Sequence, residues 1–393
     1  MRHARRKLYL LGETGGKEPK PMNNEQGSCK RVDIGGQAVM EGVMMKSPDA
    51  IAIAVRRPNH TIVVRRNEYH SPSEKHKWMG WPFVRGTVSF LTMLSMGMTT
   101  LQQSTDMLGM LDEEPTKFEL WLSKKLGKGI DKIIMGTAII LAVVLSIGLF
   151  FVLPELFAKL LKGFWPEGNM SWLVNLLSGI LRILILIGYI IFCAAVPDVR
   201  RTFEYHGAEH KTVYCHEHKL PLTPKNAQQF TTLHPRCGTS FLLIVFVISI
   251  VLFTLVGYQG NSFIWRLLSR LALLPIVAGV SFEVLKGLAH SESKIAKILR
   301  WPGMQMQRLT TRPPTDEMVE CAIVAMNVAL HGMPVNAEHT PEGWAVLHSY
   351  AESDPDYQPE TKPETDAEQV PASPEKPSVQ VHGGAEPLTA TLE

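Results

Sequence analysis

The chain has 393 residues, 45% hydrophobic and 20% charged, with a net charge of +3. Its near-neutral mean hydropathy averages a very apolar middle with a basic N-terminal third and an acidic C-terminal tail, which sets aside an ordinary soluble two- or three-domain protein. Cysteines at 29, 193, 215, 237 and 321 are odd in number and scattered, which excludes a disulfide framework and points to a reducing compartment.

Residues 1–31 read as a disordered basic extension, with 1–21 a loose polar segment and Met22 an equally sensible start. The apolar run at 8–11 is too short for a secretory signal. Residues 32–77 read as a small β-rich domain. GGQAVMEGVMM at 35–45 supplies one strand between tight glycine turns, and the runs at 50–57 and 61–66 flank a Pro-Asn turn signal, which predicts a hairpin. Gln37 and Glu41 stand among apolar residues, either as strand alternation or with Glu41 reaching a site elsewhere. Arg56, Arg57, Arg65 and Arg66 make a solvated rim or a patch for anionic lipid headgroups. No aromatic residues interleave them, so nucleic acid is not an expected partner. Residues 78–104 are only moderately apolar and carry Arg85, which predicts an interfacial helix or one packed on a bundle.

Four stretches then approach the length of about 20 residues that a bilayer core requires: 133–153, 172–196, 239–258 and 263–285. Lysine and arginine alternate across their connections. Lys117, Lys124, Lys125, Lys128 and Lys132 precede the first, and only Lys159 and Lys162 follow it. The 197–238 loop carries Arg200, Arg201, Lys211, Lys219, Lys225 and Arg236; the 259–262 link carries none. Lys286, Lys294, Lys297, Arg300 and Arg308 come after the fourth. This pattern predicts four crossings with both termini and the 197–238 loop in the cytoplasm. Residues 286–332 read as cytoplasmic helices, the first amphipathic and basic, the second capped by Thr315 or Asp316. Residues 339–393, rich in Pro, Glu, Asp, Ser and Thr, read as a disordered acidic tail. The expected fold is an α+β membrane protein: a four-helix transmembrane bundle, a small N-terminal β-hairpin domain and a cytoplasmic C-terminal helix.

The chemistry concentrates at 204–237. His206 and His210, with Glu209 between them, form an H-x-x-E-H pattern. On a helix the i,i+4 spacing brings both imidazoles to one face, about 6 Å apart. Such a pair can hold Zn²⁺ and leave Glu209 to take a proton from metal-bound water. An antiparallel return of the chain brings His234 and Cys237 to the same depth as further ligands, and Glu283 is a candidate third ligand or orienting carboxylate. Lys211 or Arg236 would stabilise a developing oxyanion or hold a phosphate. Zn²⁺ suits His, carboxylate and thiolate; Mn²⁺ or Fe²⁺ suits a His/Glu subset. The alternative is a hydrogen-bonded polar network that ties helix ends together. Cys215, His216 and His218 read as solvated loop residues. In the apolar stretches, Arg182, Arg266 and Arg270 have no evident carboxylate partner, so they snorkel outward or share an anion such as a lipid phosphate.

GGQAVMEGVMM, EYHGAEHKT at 204–212, HPRCGTSF at 234–241 and QRLTTRPP at 307–314 occur in this order and resemble the DUF1385 family. The resemblance runs from about 33 to about 330. It implies a multi-pass bacterial inner-membrane protein, described as a predicted metal-dependent enzyme without an established reaction. It supports Glu204, His206, Glu209, His210, Lys211, His234, Arg236 and Cys237 as the site, and leaves out His216 and His218.

Three functions follow as expectations. The first is a metal-dependent enzyme, a hydrolase acting from the cytoplasmic side on a lipid-linked or membrane-peptide substrate, with anionic lipid or a membrane-borne substrate as partner. The second is a non-enzymatic scaffold whose His/Glu/Cys cluster is structural. The third is a small transporter, disfavoured because no span looks broken at the bilayer centre.

Overall fold

A computed structural model describes residues 34–109, 130–164, 171–256, 263–289, 291, 293–334 and 337–357. The expected extension at 1–31, with Cys29, and the tail from 358 onward lie outside the described residues.

The fold is mixed α and β, mostly helical, around one small antiparallel sheet. Strands β1 (Gly35–Val39), β2 (Gly42–Lys46), β3 (Ala50–Arg56) and β4 (Ile62–Glu68) form a meander. Alternate side chains divide between its two faces, as the pleat dictates. Val43, Met45, Ala52, Ala54, Ile62 and Val64 face one core, and Met44, Ile53, Val55 and Val63 face another. The sheet is larger than the expected hairpin. Two strands from the far end of the described chain, β5 (Glu338–His339) and β6 (Ala345–Leu347), complete it in the order β1-β2-β3-β4-β6-β5. Composition assigns residues 345–347 to a disordered tail. Instead Ala345 and Leu347 are fully buried and pair with Val64 and Ile62, because β4 offers an open edge for them.

The nine principal helices described are α1 (Val84–Leu108), α2 (Ile130–Ile147), α3 (Leu153–Phe164), α4 (Ser171–Cys193), α5 (Pro197–Glu217), α6 (Gly238–Val256), α7 (Phe263–Ala289), α8 (Lys294–Thr310) and α9 (Asp316–His331). Helix α9 runs through the core between the sheet and α5, which is why it is apolar all round, with nearly every residue from Met318 to Ala329 buried. Thr315 caps it by accepting from the Met318 amide. Helix α1 joins the two halves of the fold. Its end places Met107 and Leu108 on the second sheet face, and its start crosses α7. A Cβ on Gly86 would lie 2.9 Å from Gly279 Cα, so these helices approach at the distance that small residues permit.

Among the described residues, Gly136–Leu161, Leu176–Cys193 and Leu268–Leu288 are long and apolar enough to cross a membrane, and Phe241–Leu255 is a shorter apolar helix. The first is α2 and α3 run together through a π-helical turn at Gly148–Val152. The stretch expected as a loop at 197–238 is mostly ordered helix. Helix α5 starts directly after α4 with Pro197 in its first turn, and a short helix follows at Pro224–Gln228.

Candidate metal centre

Helix α5 lies with one side on β1 and β2 and another on α9. Two glycines allow the close approaches that set its position. A Cβ on Gly207 would stand 2.0 Å from the Arg312 carbonyl oxygen, so the strand-like segment after α8 passes directly over the H-x-x-E-H turn. The Arg312 amide donates to the Phe203 carbonyl at 2.9 Å there. A Cβ on Gly36 would stand 2.5 Å from Glu209 Cγ, so the GG pair of β1 makes the slot that Glu209 fills.

His206 and His210 share a face of α5, their ring centroids 4.4 Å apart. Each ring is oriented by a backbone carbonyl from another segment. His206 Nδ1 donates to Thr310 O at 2.9 Å, and His210 Nδ1 donates to Thr232 O. These bonds fix the tautomers and turn both Nε2 lone pairs the same way. Cys237 Sγ stands 3.3 Å from His206 Nε2 and is held by the Thr239 amide at 3.4 Å. One ligand atom from each of His206, His210 and Cys237 lies within 4.8 Å of the others, and the group could hold a metal ion. Metal bonds of about 2.0–2.3 Å would draw such atoms in with small side-chain shifts. The donor set fits in a second respect. His210 Nε2 is buried with no well-aligned hydrogen bond among the described residues, and its near neighbours are Cys237 and Glu209, both able to ligate. Burial also holds the His210 imidazole below its usual range against the neighbouring Cys237, which keeps the ring neutral and ready to ligate.

Glu209 is 5% exposed, with Oε2 3.4 Å from His210 Nε2. Burial pushes its carboxyl up, and the His206 and His234 rings and the Gly36 amide pull it part of the way back. The acid therefore sits at the edge of the cluster with its proton affinity raised.

The remaining expected site residues are placed differently. The His234 ring lies 5.6 Å from that of His210, but its Nε2 faces Glu217 at 3.4 Å. Its backbone is clamped by Gln307, which accepts from the His234 amide at 2.7 Å and donates to its carbonyl at 2.8 Å. Arg236 pairs with the same Glu217. Lys211 is buried and donates to the carbonyls of Gln228 and Phe230, fixing the loop that carries Thr232. Glu204 lies on the outer side of α5, 3.7 Å from Arg200. Glu283 is not with the cluster: it accepts two bonds from Arg85, at 2.7 and 2.6 Å, and locks α1 to α7. Its place near one end of α7 suggested a ligand, whereas the helix crossing supplies a cation first. Glu41, at a positive φ of 48° in the β1–β2 turn, pairs with Arg201 and accepts from Tyr205 OH, so it anchors α5 to the sheet without joining the cluster. Cys215 is a core residue, and His218 Nδ1 bonds the Tyr214 carbonyl at 2.8 Å. Sequence reasoning missed Thr310, Thr232, Gln307 and Glu217. Nothing local marks them, because each acts across the tertiary structure.

The DUF1385 signature, described as a protein of unknown function, matches residues 81–332. The uncharacterized protein YqhQ of Bacillus subtilis (strain 168) is 33% identical over 301 residues, covering 75% of this chain and 92% of that protein. No solved structure matches. With the family match spanning most of the chain, including both His/Cys segments that build the cluster, the chain belongs to the DUF1385 family.

Proposed function

We propose that this is a membrane-embedded protein that binds a divalent metal, Zn²⁺ first, on His206, His210 and Cys237 at its cytoplasmic face. The metal serves hydrolysis of a substrate taken from the membrane. The observation that carries this reading is the pair of histidines whose Nδ1 atoms are both committed to backbone carbonyls, leaving Nε2 atoms beside a cysteine. The connectivity supports the location. The end of α4 that leads into α5, the start of α6 after Cys237 and the end of α7 before α8 all meet at the cluster's end of the apolar helices. That end also carries the lysine- and arginine-rich connections. Helix α8 fits an interfacial role there: Ile295, Ile298, Leu299 and Trp301 are exposed beside Lys294, Lys297 and Arg300, while its other end supplies Gln307 and Thr310 to the site.

When bound, such an ion supplies Lewis-acid polarisation and lowers the pKa of coordinated water. Glu209 is the group that accepts and returns a proton, its raised proton affinity suiting exchange nearer neutral pH. The Thr310 and Thr232 carbonyls orient the two rings, and the buried surroundings exclude bulk water. Elemental analysis of the detergent-purified full chain tests this. Wild type should retain metal, and His210→Ala and Cys237→Ser should lose it. Equal, negligible metal in all three would end the reading.

A structural clip is the second reading. The cluster joins α5, the 231–238 segment and the end of α8, which favours a tie between elements. Under that reading Glu209→Gln is nearly silent, while His206→Ala and His210→Ala lose both metal and thermal stability. Under the enzymatic reading Glu209→Gln keeps the metal and abolishes turnover.

A further inference from the structure

The apolar helices contain a second group of charges, toward the end opposite the His/Cys cluster. Arg182 on α4 is only 7% exposed, and Arg270 stands on α7. Both guanidinium carbons lie over the ring of Phe253 on α6, each 5.7 Å from its centroid. Glu155, at the start of α3 and 5% exposed, accepts from Arg270 Nη1 at 2.9 Å. Among the described residues, Arg182 Nε is buried and has no hydrogen-bond partner. The charged neighbours acting on Arg182 are Arg270 and Glu155, so this trio carries one positive charge in surplus.

At a rise of about 1.5 Å per residue, Arg182 stands about 17 Å from the start of α4 and Arg270 about 11 Å from the start of α7. Glu155 stands about 14 Å from the end of α3. These three helix ends lie on the same side, because α3 leads to α4 and α6 leads to α7 there. Side chains on a helix lean toward its N-terminus, so both arginines reach toward that side. In a hydrocarbon core about 30 Å thick, the backbone of the trio lies near the middle, and the lean of the two arginines carries their guanidinium groups into the far half. A guanidinium with a buried, unbonded Nε at such a depth calls for an anion, and the one carboxylate of the trio already accepts from Arg270.

We propose that Arg182, Arg270 and Phe253 form a binding site for a phosphate-type anion, filled by the headgroup of an anionic phospholipid from the leaflet opposite the His/Cys site. A guanidinium fork matches two phosphate oxygens. Ile180, Leu184 and Leu156, all exposed on α4 and α3, offer apolar surface for the acyl chains. The proposal rests on the membrane reading above but not on metal binding.

The test uses the full chain in neutral detergent. Native mass spectrometry would read co-purified lipid, and thermal unfolding would be followed with added phosphatidylglycerol, diacylglycerol or inorganic phosphate. Wild type should retain phosphatidylglycerol and melt higher in its presence, with no response to diacylglycerol. Arg182→Gln should weaken phosphatidylglycerol binding by about tenfold, with helical content and metal content unchanged. Arg182→Lys, which keeps the charge and loses the fork, should fall between them and covers the case in which the glutamine variant does not fold. Stabilisation by inorganic phosphate as strong as by phosphatidylglycerol supports the anion site but moves its source to a soluble ion. Equal lipid retention by wild type and both variants, or no anion response in wild type, overturns the proposal. Recovery of the protein outside the membrane fraction would instead defeat the membrane reading, an outcome distinct from loss of the anion response.

Discussion

Gly36 shows how much a single missing Cβ can decide. It is one of a glycine pair whose role reads from sequence as a turn, yet it lies in β1 and its function is to leave room for Glu209. Gly36→Ala should push the Glu209 side chain out of its slot and remove the Gly36 amide contact. A destabilisation of roughly 1–3 kcal/mol is expected, as for overpacking of a filled site, and urea unfolding would measure it. A variant as stable as wild type would mean that Glu209 is not held there. The cysteines permit a second residue-scale prediction. Burial pushes the Cys321 thiol up to about 12 and the Cys215 thiol up to about 11, so neither presents thiolate near neutral pH. Iodoacetamide at pH 8 should modify both only after unfolding, read by peptide mass spectrometry. Rapid labelling of Cys321 in the folded protein would contradict the burial described.

At the scale of elements, α9 carries the half of the molecule built on the sheet. Ile323 is fully buried between the sheet and α5, and Ile323→Ala should cost about 2–5 kcal/mol, the usual range for such core deletions, seen as a lower denaturation midpoint. The apolar periodicity of α9 and its Thr315 cap were legible in the sequence, as was the β3–β4 hairpin; the single strand read at 35–45 is two, β1 and β2, and the first apolar helix runs on to Phe164, well past 153. The strand at 345–347 was not legible. Three residues in a polar, proline-rich context carry no local signal, and they become a strand only because β4 has an unpaired edge beside them. Helix α5 was hidden for a related reason. Its His- and Glu-rich sequence reads as a loop, and it is helical because Tyr205, Ala208 and Val213 pack into the core while its polar residues find partners on other segments.

For the whole molecule, the two polar sites stand near opposite ends of the apolar helices, so they should respond independently. If wild type carries the proposed metal, a strong chelator should lower its melting temperature and leave Cys237→Ser, which is expected to lack it, unmoved. Anionic lipid should stabilise both proteins alike. Differential scanning of the purified chain would read both effects, and a chelator response in Cys237→Ser would place the metal elsewhere.

The sequence alone determined the chain's local character: which stretches are apolar, which alternate, and that His206, Glu209 and His210 share a helical turn's spacing. These depend on residues within a few positions of one another. Only the tertiary structure decided that Cys237 joins the histidines while His234 turns to Glu217 and Glu283 to Arg85. It alone brought Glu155 to Arg270 and left Arg182 Nε without a hydrogen bond among the described residues. Such choices depend on which of several chemically able side chains the packed helices bring within bonding distance, and spacing along the chain does not encode that.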